Sequence, residues 1–303
     1  MQMVISAPAS LWQRVTQTRL WQTVRASTWL EWQTRGNWTN PWLFALYLLL
    51  RPISASLVLV FMYLVVAGGH PTQGAILGFL IAGSASWTFV EQIIAGIPQA
   101  VLADREEYAM LKYVYIAPQQ FLLFLVGRSV PRMFMACISF VMTLAVGVVF
   151  LGVPINLLRI NYPLLLLALI IGFAAIVAFA VFFAGLALVL KRGAWQMPQA
   201  VTGALYLVSG AIFPIAILPV WLRDISLGVP LTYWLELIRR ALLGSNASGN
   251  FGSAAQFPIE NTWTIIGLFL LTTAVAAAIS YVGFRIAEFQ ARERGQIDRT
   301  TGY

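Results

Sequence analysis

Between Tyr162 and Leu190 the chain carries no charged residue and is built almost wholly from Leu, Ile, Val, Phe, Ala and Gly. A stretch of that length, wound as a helix, covers the roughly 30 Å hydrocarbon core of a bilayer, which needs about 20 residues. Comparable apolar runs occupy 42–67, 72–98, 120–151, 195–209 and 262–286, the fifth being extended by a proline-broken segment. Together with 60% hydrophobic residues and a mean hydropathy of +0.80, they predict an all-α polytopic membrane protein with six transmembrane helices.

The loops set the expected orientation. If both termini are cytoplasmic, that side holds Arg14, Arg19, Arg25, Arg35, Arg105, Lys112, Lys191, Arg192, Arg285, Arg292, Arg294 and Arg299. The outer side then holds only Arg159, Arg223, Arg239 and Arg240. Basic residues favour the cytoplasmic side, so both ends are placed there, in a plasma (inner) membrane of prokaryotic type. The net charge of +8 is spread between apolar spans, which points to contact with anionic membrane lipid and not to nucleic acid. One cysteine, Cys137, and one histidine, His70, exclude an internal disulfide, a bis-histidine haem and the paired-histidine metalloprotease motif. No metal or cofactor is expected on this chain.

Residues 1–41 form a cytoplasmic N-terminal segment without a basic start or apolar core of a cleavable signal. Within it Trp12, Trp21, Trp29 and Trp32 alternate with Arg14, Arg19, Arg25 and Arg35. Aromatic anchors interleaved with arginines suit an amphipathic helix lying in the membrane interface. Residues 42–287 make the transmembrane domain, and 288–303 a cytoplasmic tail.

Two stretches interrupt the apolar pattern. The first, VLADREEYAMLKYVYIAP at 101–118, packs Asp104, Arg105, Glu106, Glu107 and Lys112 into nine positions of a chain with only 10% charged residues. Such a cluster cannot lie in hydrocarbon, and its spacing predicts a separate amphipathic helix, 101–117, facing water between two spans. It is suited to receive force from a soluble partner, although many such runs are simply solvated faces. The second stretch, 209–244, is too apolar for a loop and too broken by Pro214, Pro219, Gly228 and Pro230 for a span. Irregular backbone at membrane depth must be covered by protein or line a cavity, so a re-entrant pair of short helices on the outer side is expected. Thr232 is a candidate cap of the second helix. Its charges Glu236, Arg239 and Arg240 share one face, which suits either an interfacial lid or an outer gate.

Three ionisable residues fall inside spans, where each is costly unless paired or wet. Glu91 lies seven residues before Pro98, and Arg128 ten after Pro118, with Arg132 one turn deeper. Comparable depths predict a Glu91–Arg128 ion pair, with Arg132 facing water or substrate; alternatively, later span starts would put all three at the interface. Phe44, Tyr47, Phe61 and Tyr206 are candidate pore-lining aromatics.

The order of these features resembles the ABC-2 type transporter permeases. DREEYAMLKYVYIAP looks like that family's coupling-helix signature. SGAIFPIAILPVWLRDISLGVPLTYWLELIRRALLG looks like its SG-x-x-x-P, LP-x-W, P-L-T-Y, E-x-x-R and L-x-G stretch. Many members have Gly-Thr-Leu-Glu where this chain has Ala109, Met110, Leu111 and Lys112. The resemblance implies a permease dimer, either a homodimer or a pair with a related permease, docked to two copies of an ABC ATPase subunit. Asp104, Arg105, Glu106, Glu107 and Lys112 would then couple to the ATPase. Pro214, Pro219, Pro230, Glu236 and Arg239 would belong to the outer gate. No G-x-x-x-x-G-K-[ST] loop occurs in the chain, so ATP and Mg would be held by the partner.

The expected function is export of a hydrophobic small molecule, drug or lipid by the membrane subunit of an ABC exporter. Export of a polysaccharide or glycoconjugate is the second reading. A secondary transporter would need paired broken helices in both halves, and only the segment after the fifth span is broken. An intramembrane enzyme would need a nucleophile–base pair or metal ligands, which one histidine and no deep acidic pair do not supply.

Overall fold

The computed structural model describes residues 19–36, 41–66, 74–117, 120–153, 155, 157–190, 194–244 and 257–295. Arg14, His70, Pro118, Lys191, Arg192 and Arg299 lie outside the described residues. Regular structure among them is helical throughout: α1 Arg19–Gly36, α2 Pro41–Val66, α3 Gly74–Val90, a π turn Glu91–Ala95, α4 Gly96–Glu106 and α5 Leu111–Ile116. There follow α6 Phe121–Leu151, α7 Tyr162–Val189, α8 Met197–Val208, α9 Val220–Gly228, α10 Pro230–Leu243 and α11 Thr262–Glu293. Four helices among the described residues are long and apolar enough to cross a membrane: Ile76–Glu106, Phe121–Phe150, Tyr162–Val189 and Thr262–Glu293. The apolar run predicted at 195–209 yields α8, whose 12 residues are too few to cross alone.

The second span does not stop at Pro98. It continues from α3 through the π turn and α4 to Glu106. Inside an α-helix a proline ring collides with the carbonyl four residues back, here Ile94. That carbonyl lies within the wider π turn, so the helix accommodates Pro98 without ending.

The interior is organised by α7. Its buried face is lined by small residues, among them Ala168, Gly172, Ala175, Ala180, Ala184, Gly185 and Ala187. Small side chains let helix backbones approach closely where apolar burial gives no driving force between helices. A Cβ on Gly172 would come within 2.2 Å of Trp234 Nε1, and one on Gly185 within 3.1 Å of the Phe284 Cα. On the far side of the same core, Phe89 meets Phe140 at 5.7 Å and the edge of Trp234 at 5.9 Å between ring centroids.

The proline-broken stretch is a compact assembly. Residues 209–219 run irregularly around a single 3-10 turn, α9 is half-exposed, and α10 is buried over nearly its whole length. Thr232 does not cap α10. The N-cap is Val229, Pro230 takes the first helical position, and Thr232 Oγ1 donates instead to the Ser226 carbonyl at the end of α9. Tyr233 Oη donates to the Leu227 carbonyl in parallel. The Ser226 carbonyl also accepts the Val229 N–H at 3.1 Å, so the two hydroxyls add to the donors at the carbonyl end of α9.

Candidate functional site

The two ends of the bundle carry different polar clusters. At the end where α4 and α6 meet, Glu31 of α1 is fully buried and accepts from three arginines. Arg35 Nε lies 3.0 Å, Arg128 Nε 2.6 Å and Arg132 Nη2 2.5 Å from its carboxylate oxygens. Arg128 also pairs through Nη1 with Asp104 of α4. Arg132 Nη1 donates to the Gln92 carbonyl in the π turn at 3.0 Å, and Arg35 Nη1 to the Gln92 side chain at 3.2 Å. Three guanidiniums and two carboxylates thus tie α1, the π turn, α4 and α6 together.

Local sequence builds this meeting point. Pro131 sits inside α6 and has no N–H, which leaves the Gly127 carbonyl without its helical donor. Thr28 Oγ1 of α1 supplies the missing bond at 2.9 Å. A Cβ on Gly127 would come within 1.9 Å of Ser27 Oγ, and one on Gly96 within 1.8 Å of Arg132 Nη1. Glycine at both positions is what lets α1 and the Arg132 guanidinium lie against backbone. Burial raises the affinity of the Glu31 carboxyl for its proton, but the charges of Arg132, Arg128 and Arg35 outweigh it and hold the group below the ordinary carboxylate range.

The geometry corrects the pairing expected from the sequence. Arg128 is held by Glu31 and Asp104, not by Glu91, and Arg132 is 2% exposed against Glu31 and Gln92 instead of facing water or substrate. Glu31 was not foreseen. Its signal was present: it is the only acidic residue among the first 90, set in a segment of arginines.

The predicted 101–117 helix is two elements. α4 ends at Glu106, residues 107–110 turn, and α5 follows. At the turn Ala109 has φ 47°, the left-handed conformation that favours glycine. The five charges of this stretch divide accordingly. Asp104 and Arg105 are 0% and 4% exposed and so offer no docking surface. Arg105 Nη1 donates to the Ala187 and Leu188 carbonyls at 3.2 and 3.3 Å, capping the last turn of α7, where a cation also opposes the helix dipole. Glu106 is half-buried between Arg105 Nη2 at 2.7 Å and Trp195 Nε1 at 3.3 Å. Lys112 lies over the Tyr113 ring at 5.5 Å. Glu107, Tyr108, Tyr113 and Ile116 are exposed. Beneath them Tyr115 stacks on Phe121 and receives Arg292 of α11 over its ring at 5.0 Å.

At the opposite end, α10 buries the charges that share one of its faces, Glu236, Arg239 and Arg240. Arg239 lies 3.5 Å above the Phe79 ring and donates through Nη2 to the Gly210 and Ala211 carbonyls at 2.9 and 2.7 Å. Arg240 pairs with Glu236 at 2.8 Å and donates to the carbonyls of Glu260 and Ile259. These carbonyls belong to the irregular strands of chain beside α10, so the arginines satisfy backbone that no helix could. Pro214 shares a small pocket with Glu236 and Arg239. Pro219 is the N-cap of α9 and Pro230 the first residue of α10; both act on backbone geometry.

Glu91 opens the π turn, next to Gln92. It is exposed and lines a cavity of about 260 Å³ with Ser84, Trp87, Thr88, Thr202 and Tyr206.

Residues 22–243 match the family model described as ABC-2 type transporter. No curated protein matches the chain.

Proposed function

The chain belongs to the ABC-2 type transporter family, and from that premise we propose that it is the permease of an ATP-driven exporter of hydrophobic small molecules, drugs or lipids. Membership makes it an integral, multi-pass ABC permease subunit, and the family implies association with an ABC ATPase. In the proposed assembly two copies of the permease span the inner membrane with both termini in the cytoplasm. Each has six spans, α2 supplying one beyond the four and α8, extended by the proline-broken segment that follows it, the other. The 209–244 stretch is re-entrant from the outer side, with Glu236 and Arg239 in its gate. ATP and Mg are held by two ATPase subunits.

One observation carries this reading. The exposed side chains of Glu107, Tyr108, Tyr113 and Ile116 sit on a sharp turn and short helix whose buried neighbour, Asp104, is locked to Arg128 and through it to α1. A surface of aromatic and charged groups suits a protein partner, and a buried ionic network behind it suits the transfer of motion to the spans. The ATPase therefore docks on Glu107, Tyr108, Tyr113 and Ile116, while Asp104, Arg128, Arg132 and Glu31 pass its displacement onward without touching it. Co-purification of the chain with candidate ATPases tests docking. Tyr113→Asp with Glu107→Arg should abolish assembly and leave the permease folded; undiminished assembly would remove the docking surface.

A further inference from the structure

We propose that α10 holds a single internal water molecule as a structural ligand, bound by Ser209, Arg239 and Glu236. These three side chains are buried and line one small cavity together with Phe79 and Thr232. Two of their polar atoms, Ser209 Oγ and Arg239 Nε, have no hydrogen-bond partner among the described residues. Other buried hydroxyls of the bundle turn back onto their own helix. Ser86 Oγ donates to the Ala82 carbonyl at 2.7 Å, Thr143 Oγ1 to that of Ser139 at 2.8 Å and Thr202 Oγ1 to that of Pro198 at 2.9 Å. Ser209, the C-cap of α8, makes no such bond. Arg239 commits Nη2 to the Gly210 and Ala211 carbonyls, which leaves its Nε–H to donate. Glu236 commits Oε1 to Arg240 Nε at 2.8 Å, which leaves Oε2 to accept. Buried polar atoms in that state are unfavourable, and native proteins meet them with ordered water.

Size and charge select the occupant. The cavity measures about 10 Å³, close to what one water requires and too small for a sugar or a phosphate. A bare cation would face the Arg239 guanidinium and a bare anion the Glu236 carboxylate, so a neutral ligand suits both. Water accepts from Arg239 Nε and Ser209 Oγ. It donates to Glu236 Oε2 and to Thr232 Oγ1, whose own hydrogen is spent on the Ser226 carbonyl. Four bonds is the upper number for a buried water. Phe79 closes the cavity beneath the Arg239 guanidinium. The water thereby joins Arg239, which holds Gly210 and Ala211, to Glu236 and its partner Arg240, which holds the carbonyls of Ile259 and Glu260.

The test is X-ray hydroxyl-radical footprinting of the purified full chain in lipid nanodiscs, in which irradiated bound water oxidises the side chains it touches. Phe79, 1% exposed, is read against Phe269, 0% exposed. In the parent, Phe79 should be oxidised at least tenfold faster than Phe269. Ser209→Val, whose methyl groups fill the space, should bring Phe79 down to the Phe269 rate. Ser209→Ala, which keeps the space and removes one partner, should slow Phe79 oxidation at least threefold. Thermal unfolding checks that both variants fold, and Ser209→Ala decides if Ser209→Val does not. A parent rate at Phe79 no higher than at Phe269, or a Phe79 rate unchanged in Ser209→Ala, would overturn the proposal.

Discussion

Arginine is buried at both ends of this bundle, but it is held by different partners. At the α4–α6 end, Arg128 and Arg132 are held mainly by carboxylates from other elements, Glu31 of α1 and Asp104 of α4. At the α10 end, Arg239 is held by two backbone carbonyls and an aromatic face, and Arg240 by two further carbonyls together with Glu236 of its own helix. A carbonyl cannot titrate and moves only with its backbone, so the second arrangement is a fixed clamp on irregular chain. The carboxylate-held cluster joins elements distant in sequence chiefly through pairs of side chains, and two such arrangements of the same groups can differ by small shifts. The difference assigns a fixed hold on the backbone at Gly210 and Ala211 to one end and transmissible motion to the other.

The comparison can be broken most severely at Glu31. Removing one member of a buried ion cluster leaves uncompensated charge and typically costs about 3–5 kcal/mol. Glu31→Ala should therefore lower thermal stability by that order and release α1, read as hydrogen exchange across Arg19–Gly36. The same carboxylate gives a pH signature. Because its folded-state value lies below the ordinary one, its contribution is complete above the unfolded carboxylate pKa of about 4.3. It is lost as pH falls through the lower folded value. Protection of α1 should hold from neutral pH down to that range and collapse beneath it, while protection of 209–219, held by Arg239 through the Gly210 and Ala211 carbonyls, should not follow the same course.

Arg239→Met should have the next largest effect. Hydrogen bonds to charged groups contribute about 1.5–3 kcal/mol; one nitrogen, Nη2, serves both the Gly210 and Ala211 carbonyls, so the variant should lose about that much. The loss should appear as faster exchange confined to 209–219, with α1 unaffected. A matching loss at α1 would mean that the two ends are not independent. Thr28→Val sharpens the picture further, costing about 1–3 kcal/mol for the unmet Gly127 carbonyl, measured as a lower unfolding midpoint. The smallest expected effect is a gain. Ala109→Gly relieves a left-handed backbone and should stabilise the 107–110 turn by about 1 kcal/mol, seen as slower exchange there.

Some of this was legible in residue order and some was not. The helical class and the long spans follow from hydropathy, because a continuous apolar run of about 20 residues satisfies its own backbone in hydrocarbon by forming a helix. The exposed part of the 101–117 stretch was visible as charge. Its division was not, because Asp104 and Arg105 look like Glu107 until tertiary partners bury them. The Glu91–Arg128 pairing failed because depth along neighbouring helices says nothing of which face each residue occupies. Glu31 was readable as a lone acid among arginines, but only packing of α1 on α6, permitted by Gly127 and completed by Thr28, brings it to Arg128. On α10 the i,i+3 and i,i+4 spacing of the charges was read correctly. That they face inward reflects the unpaired carbonyls of 210, 211, 259 and 260, which periodicity does not register.

The central claim is that a network the ATPase never touches carries its motion into the spans. Asp104 is the place to test it, being fully buried and paired with Arg128. The measurement is ATP hydrolysis by the reconstituted complex of parent and Asp104→Asn permeases, with subunit assembly scored in parallel. The account predicts undiminished co-purification and at least a tenfold loss of the permease-dependent rise in hydrolysis. Hydrolysis unchanged in Asp104→Asn, or assembly lost along with it, would contradict the account.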